Sequence, residues 1–134
     1  MRGFTILTLV TSFLLAGAAW AKPPLRDVDK IDDGILYIAI ANEIRNECNS
    51  ITARMFRALS TIRGLEAHAK SLGYSDQEIE TYIDSKDEKA RMRRRGEAYL
   101  ADNGVSYAKP ETFCALGRAE IERNSAIGVL LRAR

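Results

Sequence analysis

The chain has 134 residues, with 20 lysines and arginines against 18 aspartates and glutamates, one histidine and two cysteines. Charge this evenly intermixed excludes a general nucleic-acid binder, which needs a dominant basic surface. A single histidine and two widely separated cysteines fall short of a zinc ligand set, and no C-x-x-C-H string is present for haem attachment, so neither a metal nor a cofactor is expected.

The N-terminus has the layout of an export signal. Met1-Arg2-Gly3 gives a short positive start, Phe4 to Ala16 carries no charge, and Ala19-Trp20-Ala21 has the small-x-small pattern of a cleavage site. Cleavage is expected after Ala21, leaving residues 22–134 as a single helical domain. The apolar run is short for a bilayer span, which takes about 20 residues. No cysteine follows it to carry a lipid, and no later segment is long and apolar enough to span. The expected address is therefore exported and periplasmic. In such an oxidising compartment Cys48 and Cys114 are expected to pair.

Pro23-Pro24 marks an extended lead-in. Ile31, Ile35, Leu36, Ala39, Ile40 and Ile44 then recur at three- and four-residue steps, the stripe of an amphipathic helix ending near Cys48. Asp27, Asp29, Asp32 and Asp33 suit the positive end of its dipole, with Asp29 or Asp32 as its cap. A second helix starts from Asn49 or Ser50. Its apolar face is Ile51, Met55, Leu59, Ile62, Leu65, Ala69 and Leu72, with Phe56 beside them, and Gly73 stops it. Ser75-Asp76-Gln77-Glu78 reads as a capping box, with Tyr74 and Ile79 placed to staple it. The third helix continues through Tyr82, Ile83, Ala90, Tyr99 and Leu100 to Asn103-Gly104. Pro110 opens a fourth, with Phe113, Leu116, Ile121, Ile127, Leu130 and Leu131 on its face and Asn124-Ser125 as a break within it. The expected fold is all-α, an antiparallel bundle of about four helices. In that order Cys48 and Cys114 lie at the same end, so helix order and cysteine count agree on one disulfide.

Few residues point to chemistry. Arg91-Met92-Arg93-Arg94-Arg95 is the one dense basic run, and Arg91, Arg94 and Arg95 are the candidates for contact with an anion or a partner, since guanidinium forks pair with phosphate and carboxylate oxygens. Asp87 and Glu97 stand at helical spacing from this run and offer local ion pairs instead. His68 has no nucleophile and orienting group in a recognisable motif around it, and reads as an ordinary surface histidine. Glu43 and Glu47, facing Glu120 across the bundle, would make a carboxylate pair for acid–base work. No catalytic constellation is complete, so a non-enzymatic role is expected.

Several strings carry a family resemblance: Ile31-Asp32-Asp33-Gly34, Ala53-Arg54-Met55-Phe56-Arg57-Ala58-Leu59, Gly73-Tyr74-Ser75-Asp76 and Cys114-Ala115-Leu116-Gly117-Arg118-Ala119-Glu120-Ile121, with Ile127-Gly128 and Leu130-Leu131-Arg132 after them. In order and content they resemble a family of small exported alphaproteobacterial proteins classed as a domain of unknown function. The resemblance implies a periplasmic helical domain with this cysteine pair and assigns no activity. In build, the chain is also similar to small periplasmic acid-stress chaperones. The expectation is an interaction or chaperone-like module acting on another periplasmic protein. The alternatives are a carrier for a small anionic or amphiphilic ligand and, behind it, a carboxylate enzyme.

Overall fold

The computed structural model describes residues 21–134. Of the expected export signal, residues 1–21, all but Ala21 lies outside the described residues. A short 3-10 turn at Leu25–Asp27 leads into α1 (Asp29–Glu47), followed by β1 (Ile51–Ala53), α2 (Met55–Ser71), α3 (Asp76–Asp84), α4 (Lys86–Asp102), α5 (Glu111–Glu122), a second 3-10 turn at Gly128–Leu130 and β2 (Leu131–Ala133). Among the described residues no helix is long and apolar enough to cross a membrane.

α1 is the axis of the molecule and packs against α2, α4, α5 and β1. Its Leu36, Ile40, Ala41 and Ile44 enter a core shared with Met92 and Leu100 of α4 and Phe113 and Leu116 of α5. Phe113 and Ile44 are both completely buried. A smaller cluster under the lead-in gathers Leu25, Ile31, Ala69 and Tyr74, with Ile79 packed against it. α1 and α5 approach closely because residue 117 is glycine: a Cβ there would stand 2.4 Å from Ile51 Cδ1 and 2.7 Å from Ile44 Cγ2.

Several helix ends fall where the local code puts them. Ser75 Oγ accepts from the Glu78 N–H at 3.1 Å, and Glu78 accepts from the Ser75 N–H at 2.7 Å, completing the capping box. α2 ends in a Schellman motif, with Tyr74 N–H donating to the Ala69 carbonyl and Gly73 N–H to that of Lys70, and Gly73 at φ +89°. The same pair of bonds ends α4 at Gly104 and Val105. It ends α5 at Asn124 and Ser125, where asparagine takes the left-handed position.

The fold departs from a four-helix, all-α bundle in three places. The expected third helix is two, because Ser85 takes extended backbone and its Oγ accepts from the Glu88 N–H, starting α4 afresh. The second helix starts at Met55 rather than after Asn49 or Ser50, with Arg54 as its cap residue. Ile51–Ala53 instead pairs antiparallel with Leu131–Ala133, in the register Ile51↔Ala133 and Ala53↔Leu131. The fourth helix accordingly stops at Glu122, and its expected tail becomes a 3-10 turn and a strand. At α1 the cap residue is Val28, with no side-chain bond, so neither Asp29 nor Asp32 caps it.

Cys48 follows the last turn of α1, Cys114 lies in the first turn of α5, and their sulfurs are bonded with the Cα atoms 5.2 Å apart. The bond closes a loop spanning 66 positions and lies beside the ribbon, where Ser50 Oγ accepts from Arg118 at 2.8 Å. By loop-closure entropy a bond of this span stabilises by up to about 4 kcal/mol. The double variant Cys48→Ser/Cys114→Ser should unfold in denaturant with about 2–4 kcal/mol less stability than the oxidised protein, measured by circular dichroism. Gly128 gives a second test. A Cβ there would lie 1.9 Å from the Glu120 carbonyl oxygen. Because backbone rather than a flexible side chain must yield, Gly128→Ala should cost about 2–3 kcal/mol in the same assay.

Candidate functional site

Two polar clusters hold the fold, and both absorb residues that the sequence offered as chemical candidates. Asp32 faces inward from α1 and is 5% exposed. Arg91 reaches it with two nitrogens, one at 3.1 Å, and Arg95 with a third. The Tyr82 hydroxyl donates to the same carboxylate. Arg95 also donates to Asp33 at 2.7 Å, Arg91 to Glu88 at 2.8 Å, and Arg26 pairs with Glu88. Three carboxylates therefore meet three guanidinium groups, drawn from the lead-in, α1 and α4, with a tyrosine from α3. Burial alone raises the Asp32 pKa. The bonds from Arg91 and Tyr82 and the charges of Arg91 and Arg95 outweigh it and hold the group below its ordinary value. Burial and the bond to Asp32 push the Tyr82 hydroxyl up to about 12.

The arginine run is thus divided by the fold. Arg91 and Arg95, four residues apart, meet on Asp32, whereas Arg94 stays exposed. The two inward arginines already hold carboxylates and have little left to offer an external anion.

The second cluster surrounds Glu120, 1% exposed. It accepts from the Tyr99 hydroxyl at 2.5 Å, from Arg123 and from Ser125 Oγ, and Ser125 Oγ in turn accepts from the Gly128 N–H at 2.9 Å. Glu43 is held elsewhere, by the Tyr107 hydroxyl at 2.8 Å. The expected pairing of Glu43 or Glu47 with Glu120 therefore meets a carboxylate whose two oxygens are both engaged. Among the described residues no buried side-chain nitrogen or oxygen lacks a partner, and no group of three or more potential metal ligands gathers. His68 is half-buried on α2.

Among several surface hollows, the one walled mainly by aliphatic side chains from two helices is a groove between α2 and α3. It has a volume of about 440 Å³, with Leu25 and Ile31 in the floor, Ile62 and Leu65 on the α2 side and Ile79 and Ile83 on the α3 side. It exists because this pair of helices is lightly covered. α3 has no fully buried residue and α2 has only Ala69. Ile62 is 45% and Ile83 53% exposed. Glu66, Asp76, Glu80 and Asp84 stand around the apolar walls. Lys70 bonds Glu66 at 2.8 Å and Asp76 at 2.7 Å, and Lys89 stands 3.7 Å from Asp84, so two cations offset part of the four carboxylates and the rim keeps a net negative charge. Sequence reasoning placed Ile62 on the apolar face of the second helix but did not say what would cover that face. The signal it missed was the length of α3, whose nine residues are too few to cover the α2 stripe.

These features define a small, mostly helical domain tied by one disulfide and by buried ion pairs, with its open apolar surface on one helix pair. The model of a family of unknown function (DUF5333) matches residues 23–132, and the chain belongs to that family. No curated protein and no solved structure matches it.

The lowered Asp32 pKa fixes the sign of a pH effect. Its stabilising contribution is complete above the unfolded carboxylate value of about 3.9 and is lost as pH falls through the lower folded value. Asp32→Asn leaves Arg91 and Arg95 without their shared anion and should cost about 3 kcal/mol at neutral pH. The gap between variant and wild type should close as the medium is acidified below about pH 4, as measured by denaturant titration across pH.

Proposed function

We propose that this protein is a non-enzymatic interaction module of the periplasm whose α2–α3 groove holds an apolar, base-flanked segment of another protein. The single observation that carries the reading is the run of aliphatic side chains lining this groove, Ile62 and Leu65 of α2 and Ile79 and Ile83 of α3, of which Ile62 is 45% and Ile83 53% exposed. A scattered exposed leucine needs no explanation, but a contiguous apolar surface marks a place of contact. The groove offers aliphatic walls at helical spacing, which suits the apolar face of a partner helix. The acidic rim favours lysines and arginines beside that face.

Of the alternative, a carrier for a small anionic or amphiphilic ligand, the same rim weighs against the anionic ligands, whose charge would meet Glu66, Asp76, Glu80 and Asp84. A role without catalysis fits the two buried carboxylates, Asp32 and Glu120, whose oxygens are engaged in holding helices together. The disulfide and the expected export signal support a periplasmic address.

A fluorescein-labelled amphipathic helix of leucine and lysine should bind and perturb the methyl resonances of Ile62, Ile79 and Ile83, while a leucine–glutamate helix should not. Ile83→Asp, at an exposed position, should weaken the lysine peptide about tenfold by fluorescence anisotropy. Equal affinity for both peptides, or binding indifferent to Ile83→Asp, rejects the groove as the site.

A further inference from the structure

From Cys48 to Leu65 the chain contains no acidic residue, although the whole sequence has 18. The same stretch carries Arg54, Arg57 and Arg63, and the fold leaves all three exposed. Interleaved with them on α2 are Met55, 58% exposed, Phe56, 91% exposed, and Leu59, 45% exposed. Met55, Leu59 and Ile62 follow one another at four- and three-residue steps, and Phe56, Ser60 and Arg63 form the stripe beside them. The β1–β2 pairing brings in another cation: Arg132, opposite Thr52, borders the same shallow hollow as Arg54, Phe56 and Arg57. A nearly neutral protein thus concentrates positive charge and unburied apolar side chains on the first half of one helix.

We propose that this face of α2 docks on an anionic bilayer surface, with Met55, Phe56 and Leu59 entering the boundary between head groups and acyl chains, and Arg54, Arg57, Arg63 and Arg132 lying among the lipid phosphates. A helix with apolar residues on one stripe and arginines flanking it is the form that lies in a membrane interface. Anionic lipid attracts a cluster of basic residues over about a Debye length. Arginine stems lie along the apolar stripe while their heads stay in the polar layer. A bilayer is favoured over an acidic protein by the shape of the patch. Phe56, 91% exposed, projects outward beside Met55 and Leu59, a convex arrangement that suits insertion into a soft medium. This face and the groove share Ile62 but are otherwise lined by different residues, so the proposal does not rest on the groove's occupant.

The protein, purified as the cell delivers it and with its N-terminus established by mass spectrometry, is floated with vesicles of pure phosphatidylcholine and with vesicles containing about 30% phosphatidylglycerol. The bound fraction should be at least about fivefold greater on the anionic vesicles and should fall as salt is raised. Arg54→Glu/Arg57→Glu and, separately, Phe56→Ser should each reduce it about fivefold while keeping the wild-type circular dichroism and melting temperature. Ile83→Asp, which alters the groove, should leave it unchanged. Equal binding to both vesicle types, or binding that survives the arginine and phenylalanine variants, overturns the proposal. Retention on immobilised polyglutamate that is lost in the arginine variant, with no vesicle binding, assigns the surface to an acidic protein and overturns it equally.

Discussion

Asp32 is a charge held almost out of contact with water, and the arrangement of four elements follows from that placement. An ionised carboxylate out of solvent costs several kcal/mol unless it is paired and hydrogen-bonded. Arg91, Arg95 and Tyr82 supply that pairing from α4 and α3. To do so, α4 must lie along α1 with its arginine side inward, and the break at Ser85 must turn α3 so that Tyr82 arrives at the same atom. Arg26 and Glu88 then bring the lead-in onto the same network. Replacing the whole cluster with well-packed apolar residues would be a different matter from removing one member, since a single loss strands the remaining charges.

The molecule is consequently uneven. On one side α1, α5 and the ribbon are fixed by the disulfide, by Phe113 and Ile44 without exposure, and by the closed Glu120 cluster. On the other, α2 and α3 rest on that frame with one fully buried residue between them. Surface that is half-covered and apolar retains driving force for contact, whereas the polar clusters are internally satisfied and have none to spare. Binding is therefore sought on α2 and α3 rather than among the arginines of α4. The two candidate surfaces on this pair differ in charge: the groove is acid-rimmed, and the face running from Arg54 to Arg63 is free of acids.

Much of this was legible from local signals. The capping box at Ser75, the stops at Gly73 and Gly104 and the turn at Asn124-Ser125 are decided within a few residues, by backbone hydrogen bonds and left-handed positions, and the chain carries them openly. The break at Ser85 was available in the same code, because Ser85 and Glu88 stand at the spacing of a cap, but a continuous reading of the helix hid it. The cysteine pair was expected from the cysteine count in an oxidising compartment and agreed with a helix order that survived the change from four helices to five.

What the sequence alone determined, then, was a disulfide-closed helical domain, the position of most helix ends and the family to which it belongs. Tertiary structure decided the rest. Periodicity reports which residues share a face but not what covers that face, so Met55, Leu59 and Ile62 read as one apolar face and emerged largely uncovered. Strands of three residues, Ile51–Ala53 and Leu131–Ala133, carry too little pattern to be read singly and exist only because distant chain segments meet. A charged residue on a helix looks the same in sequence whether it faces water or a partner. Arg91 and Arg95 became internal braces, and Arg54 and Arg57 became open surface, because of what the packing of other helices placed opposite them.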